Sequence, residues 1–124
     1  MDLANRYVFL GLIWLIAGMI EGFWMGASGK MEYMTLHIIM VLVGGVLGIV
    51  FGTLLRGWPK VGAGGLAKAQ FVIWNVGVLG QAGGATTRAW GWGDGPLAIA
   101  SVLVLLVPVM MLVMFCRHGS AEAR

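Results

Sequence analysis

An imidazole and a carboxylate stand inside long apolar stretches of this sequence. His37 lies early in one stretch, and Glu21 lies toward the end of the stretch before it. An ionisable side chain within a membrane-spanning segment costs several kcal/mol unless it is paired, so such residues mark functional sites. Three chemistries suit His37. It can hydrogen-bond Glu21, Gln81 or a backbone carbonyl and tie helices together. It can ligate a haem iron from an apolar, glycine-lined cleft. It can also relay a proton or a substrate together with Glu21. One histidine and one carboxylate do not complete a zinc site. Met34 and Met40 flank His37 and offer a thioether as a further iron ligand. Trp24 falls near the same level, Gln81 can join it from a later helix, and Arg88 follows just above. No nucleophile, base and orienting group recur together, so no hydrolytic triad is expected.

The elements that hold these residues follow from composition. Of 124 residues, 60% are hydrophobic and 10% charged, against about 25% charged in a soluble domain. Four apolar stretches, 7–27, 34–55, 69–87 and 96–116, are each long enough to cross a hydrocarbon core of about 30 Å at about 1.5 Å per residue. The expected fold is therefore an all-α integral membrane domain over residues 1–124, an antiparallel bundle of four transmembrane helices in the lipid bilayer. The first stretch reads as a membrane helix, since it is too long for the apolar region of a cleaved leader. Soluble enzymes, disulfide scaffolds and nucleic-acid binders are excluded. The net charge of +3 reports topology instead. Arg6, Arg56, Lys60, Lys68, Arg117 and Arg124 fall on one side, and Lys30 and Arg88 on the other. The positive-inside rule then places both termini in the cytoplasm, as in a multi-pass protein of a bacterial-type inner (plasma) membrane.

Glycines at spacing four mark packing seams: Gly18, Gly22 and Gly26; Gly44, Gly48 and Gly52; Gly80 and Gly84, with Gly77 nearby. Small residues at this spacing let helix backbones approach closely in lipid, and they make a homo-oligomer the expectation. In a regular helix His37, Val41, Gly44, Gly48 and Gly52 share one face. The fourth helix lacks such a seam and is expected to face lipid, with Met110, Met111 and Met114 as filler and Cys116 as a small buried thiol. Trp90 and Trp92, alternating with glycines, read as an interfacial aromatic belt on a tight hairpin. His118 lies beyond the far end of the fourth helix, among solvated tail residues.

Thr35, Leu36 and His37, followed by Met40, Gly44 and Gly45 and then by Leu55, Arg56, Gly57, Trp58 and Pro59, resemble the second transmembrane helix of subunit I of the haem–copper oxidases and nitric oxide reductases. The pattern is more similar still to small stand-alone membrane proteins related to that subunit. Leu12, Trp14, Leu15, Gly18, Gly22 and Gly26 are similar to the helix that precedes it. The resemblance weakens over Phe71, Trp74, Asn75 and Gly77 and fades in the fourth helix. It implies that His37 is an axial ligand of haem b near the outer face. The small relatives often carry a second histidine where Ile39 stands here, and one near Trp74. The oxidases draw their other ligands from later helices that this sequence lacks, so a complete oxygen or nitric oxide reductase is not expected.

The resemblance thus implies a small oligomeric membrane protein that binds haem b through His37, with Glu21, Trp24, Met40, Gly44 and Gln81 around it. Its role would be electron transfer to or from a redox partner, or haem or gas sensing, without independent catalysis. The alternatives are a haem-free transporter or channel module, with Glu21 and His37 in a pore, and a structural accessory subunit of a membrane complex.

Overall fold

The computed structural model describes residues 1–122; Arg124, counted above for topology, lies outside the described residues. Five α-helices account for most of them: α1 (Leu3–Ser28), α2 (Met34–Ile38), α3 (Leu47–Gly57), α4 (Gly65–Ala89) and α5 (Gly95–Glu122). A 3₁₀ turn, Met31–Tyr33, leads into α2, and a π-helical segment, Ile39–Val46, joins α2 to α3 without a break. No strand occurs among the described residues.

Three rods, Leu3–Ser28, Met31–Gly57 and Gly95–His118, are long and apolar enough to cross a membrane, as expected of a multi-pass membrane protein in contact with lipid. The 25-residue α4 has the length but not the apolarity, because Gln70, Asn75, Gln81, Thr86 and Thr87 interrupt it. Its polar side chains are largely satisfied locally or against neighbours. Asn75 donates to the Phe71 carbonyl at 2.8 Å and Thr86 to the Ala82 carbonyl at 2.8 Å, the back-bonding that lets such residues sit in helices.

Local chemistry sets the ends. Asp2 caps α1, its carboxylate accepting from the Asn5 amide at 2.8 Å, and Gly29 closes the helix in the left-handed region at φ 72°, a conformation glycine adopts without steric cost. Pro59 disfavours helical geometry at Trp58 and ends α3. Between α4 and α5 the turn uses two left-handed glycines, Gly91 and Gly93, and Arg88 pairs with Asp94 at 2.9 Å.

The glycine seams organise the packing. Down α1, Gly22 meets His37, Gly18 meets Met40 and Val41, and Gly11 meets Gly45, Gly48 and Ile49. The Met31–Gly57 rod therefore runs back along α1. Gly52 completes the series against Val8 and the Ala4 carbonyl. On α4 the seam receives α5: Gly77 meets Val104, Gly80 meets Ala100 and Gly84 meets Leu97. The fourth apolar stretch is thus less peripheral than its sequence suggests. Val107, Met111 and Met114 are core residues, while Ile99, Val102, Leu105 and Leu112 face outward. The expectation for Cys116 is corrected, since its side chain is exposed.

The core lies toward the N-terminal half of α1. Tyr7, fully buried, stacks edge-on against Phe51 and Phe71 and lies 5.1 Å from the Trp74 ring. Its hydroxyl donates to Gln70 Oε1 at 3.0 Å, and Gln70 Nε2 donates to the Val107 carbonyl at 2.8 Å. One buried chain of hydrogen bonds therefore joins α1, α4 and α5. The histidine end of the molecule has no comparable core.

Candidate functional site

The π-helical segment that follows His37 is the main departure from the regular helix expected over 34–55. Leu47 donates its amide to the Leu42 carbonyl, an i→i−5 bond in place of the α-helical bond to Val43. The Val43 carbonyl is instead met by the Trp74 indole, Nε1 to O at 3.0 Å. Trp74 is fully buried and fits because Gly48 has no side chain: a Cβ there would lie 2.8 Å from the indole. A wider turn also brings both Gly44 and Gly45 against α1, onto Trp14 and Leu15 respectively. Gly44 therefore packs under Trp14 instead of opening beside His37. Such segments are uncommon and concentrate at functional sites.

His37 projects onto α1. Its Nδ1 lies 2.9 Å from the Gly18 carbonyl oxygen and 3.3 Å from Glu21 Oε2. A carbonyl only accepts, so the Gly18 contact assigns the ring proton to Nδ1. In the neutral imidazole the lone pair then falls on Nε2, which has no protein partner among the described residues. The glycine seam makes this arrangement possible: a Cβ on Gly22 would lie 2.7 Å from Nδ1 and 3.3 Å from Nε2.

Glu21 is the other half of the pair. Its side chain is only 12% exposed, and neither carboxylate oxygen has a hydrogen-bond partner among the described residues. The single Nδ1 proton is directed to the closer Gly18 oxygen, which leaves Glu21 as a charge neighbour rather than an acceptor. A buried, unsatisfied carboxylate is costly and marks this end of α1 as more than packing.

Beside the pair, a groove of about 560 Å³ opens to the outside between α1 and the π-containing rod. His37, Gly22, Leu15 and Val41 line it with three methionines, Met19, Met25 and Met34. Of the expected site residues, Glu21 and His37 come together. Met40 lies near Gly18, while Met34 lines the groove directly. Trp24 packs at the rim, 5.3 Å from the Tyr33 ring with the Lys30 ammonium 5.7 Å above it. Gln81 turns to α5, donating to Ser101 Oγ at 3.0 Å, and leaves its Oε1 without a partner. His118 sits near the other end of α5 and is exposed.

Met19 and Met25 escape sequence reasoning because methionine is common filler in apolar helices; a signal was available in their placement either side of Gly22. Among the described residues no three His, Cys, Asp or Glu side chains converge on a point. The donor set offers one imidazole, soft thioethers and apolar walls, which suits a metal that brings its own equatorial ligands better than a bare ion. No family model, curated protein or solved structure matches this chain.

Proposed function

We propose that this protein is a four-span membrane protein that binds haem b through His37 near the outer face, for electron transfer or for sensing haem or a diatomic gas. One observation carries the reading: His37 lines an apolar, methionine-walled groove with Nδ1 2.9 Å from the Gly18 carbonyl, so the neutral imidazole keeps its lone pair on Nε2. Histidines that ligate metals commonly donate their other ring nitrogen to a carbonyl in this way, which fixes ring orientation and raises basicity. Bound there, haem would supply a one-electron couple or an iron able to bind a diatomic gas.

The chain's own residues do the rest. Gly18 and Gly22 let the ring dock on α1. Leu15, Met19 and Val41 exclude water from the groove. A groove methionine, or His37 of a second copy of the chain across a symmetry axis, would be the further residue to hold the haem. The topology that accompanies the reading is an antiparallel bundle in which α4 also spans, with both termini in the cytoplasm of a bacterial-type inner membrane by the lysine and arginine distribution. The resemblance read in the sequence around His37 to subunit I of the haem–copper oxidases implies the same assignment, and a redox partner follows if the role is electron transfer. The test is the absorption spectrum of the purified protein beside that of His37→Ala.

A second reading is favoured by the buried Glu21 carboxylate, which lies beside His37 without a hydrogen-bond partner among the described residues: a haem-free transporter or channel module in which Glu21 and His37 carry a proton or cation. Colourless protein whose ion flux in liposomes vanishes in Glu21→Gln would select it. Colourless protein without flux would select the accessory-subunit role, with His37 as a tie between helices.

A further inference from the structure

A second cavity lies at the N-terminal end of α1, whereas His37 packs near the C-terminal end of that helix. It measures about 400 Å³ and lies between α1 and α4, with Arg6, Lys68 and Asp2 at its rim and Leu3, Phe71 and Val72 as its apolar wall. We infer that it holds the phosphate of an anionic phospholipid, with an acyl chain running down α4.

The two cations come from different helices, and among the described residues neither Arg6 nor Lys68 has an ion-pair partner. Asp2, the only carboxylate in the cavity wall, is already occupied as the cap of α1 through the Asn5 amide. Arg6 Nε donates to the Met1 carbonyl at 3.1 Å. That bond steadies the guanidinium across the helix end and leaves its terminal nitrogens for an outside acceptor. A planar guanidinium and a nearby ammonium match a phosphate diester, the first by paired hydrogen bonds and the second as a point charge.

The wall distinguishes a lipid from a free anion. Below the rim, Val72, Val76 and Leu79 are exposed at helical spacing on one side of α4. This is an apolar track that begins inside the cavity and leads away from the charged rim. Inorganic phosphate uses only the rim, whereas a phospholipid uses both rim and track. With α4 taken as a spanning helix, as proposed above, this is the principle on which basic pockets between spanning helices bind anionic headgroups.

The experiment is native mass spectrometry of the full chain in detergent, titrated with phosphatidylglycerol and with phosphatidylcholine of the same acyl chains. A competition arm adds excess inorganic phosphate. Phosphatidylglycerol is expected to bind more tightly, with Arg6→Gln and Lys68→Gln each weakening it about fivefold. Arg117→Gln removes an equal charge from an exposed position of α5 outside the cavity lining and should change binding by less than about twofold. Because Arg6 and Lys68 lie exposed on separate helices, either variant reads the site if the other fails to fold. Equal affinity for the two lipids overturns the proposal. So does an Arg117→Gln effect as large as that of Arg6→Gln, which would mean a diffuse field. Displacement of phosphatidylglycerol by inorganic phosphate would assign the rim to a free anion and overturn it as well.

Discussion

The Nδ1 of His37 stands 2.9 Å from the carbonyl oxygen of Gly18, and the ring fills the space that a side chain at residue 22 would need. One contact therefore does two things. It locks α1 to the π-containing rod, and it decides which ring nitrogen keeps a lone pair. A seam of small residues that reads in sequence as packing alone also sets the chemistry of the imidazole.

Gly22→Ala should be costly and Gly26→Ala should not. A Cβ at residue 22 would lie 2.7 Å from Nδ1, whereas one at residue 26 meets nothing within 4 Å. Overpacking of this kind destabilises by about 1–3 kcal/mol, while alanine for glycine in an open helical position gains up to about 1 kcal/mol. Thermal unfolding in detergent, followed by circular dichroism, should move the two melting temperatures in opposite directions. Equal shifts would contradict the docking of His37 on Gly22.

Trp74→Phe keeps an aromatic ring and removes the donor to the Val43 carbonyl. A lost hydrogen bond to a buried acceptor costs about 1–3 kcal/mol. The loss should appear locally as faster amide hydrogen exchange at Leu47 and Gly48, where the π segment returns to α-helix. Unchanged exchange there would show that the wide turn stands without Trp74.

Glu21→Gln removes a buried charge that has no hydrogen-bond partner. Stability at neutral pH should rise by about 1 kcal/mol, because an unsatisfied carboxylate costs more to bury than an amide. A fall in melting temperature would mean that the carboxylate is held by His37 after all, and that the 3.3 Å approach is the stronger of the two imidazole contacts.

Tyr7→Phe and Gln70→Leu interrupt the same buried chain of hydrogen bonds. Each should cost about 1–3 kcal/mol, since each leaves a buried polar group alone. The double variant should cost less than the sum, by a coupling of about 0.5–3 kcal/mol. Strict additivity would show that Tyr7 and Gln70 do not depend on one another.

Much of this architecture was legible in the residues. Runs of Leu, Val and Ile with so few charges mark the apolar rods, and the opposed travel of the first two puts Glu21 and His37 at one level. The Gly18–Gly22 seam correctly points to a close helix pair. The π segment was not legible, because apolar patterning reports which residues are buried and not which carbonyl each amide chooses. That choice depends on Trp74, donated from a distant part of the chain. Gln81 was expected beside His37, but Ser101 on α5 offers it a nearer partner. Met19 and Met25 look like filler until the groove shows what they line. The fourth stretch lacks glycines of its own, and its burial comes from those of α4.

The most direct measurement is the ultraviolet-visible spectrum of detergent-purified protein expressed with haem supplied, oxidised and dithionite-reduced, beside His37→Ala prepared identically. A sharp Soret band with split visible bands on reduction, present in the wild type and absent from a folded His37→Ala, is the expected result for two axial ligands. A broader spectrum that shifts with carbon monoxide would establish the same site with one position open. Folded wild-type protein without stoichiometric haem would contradict the assignment and leave His37 as a tie between helices or a pore group.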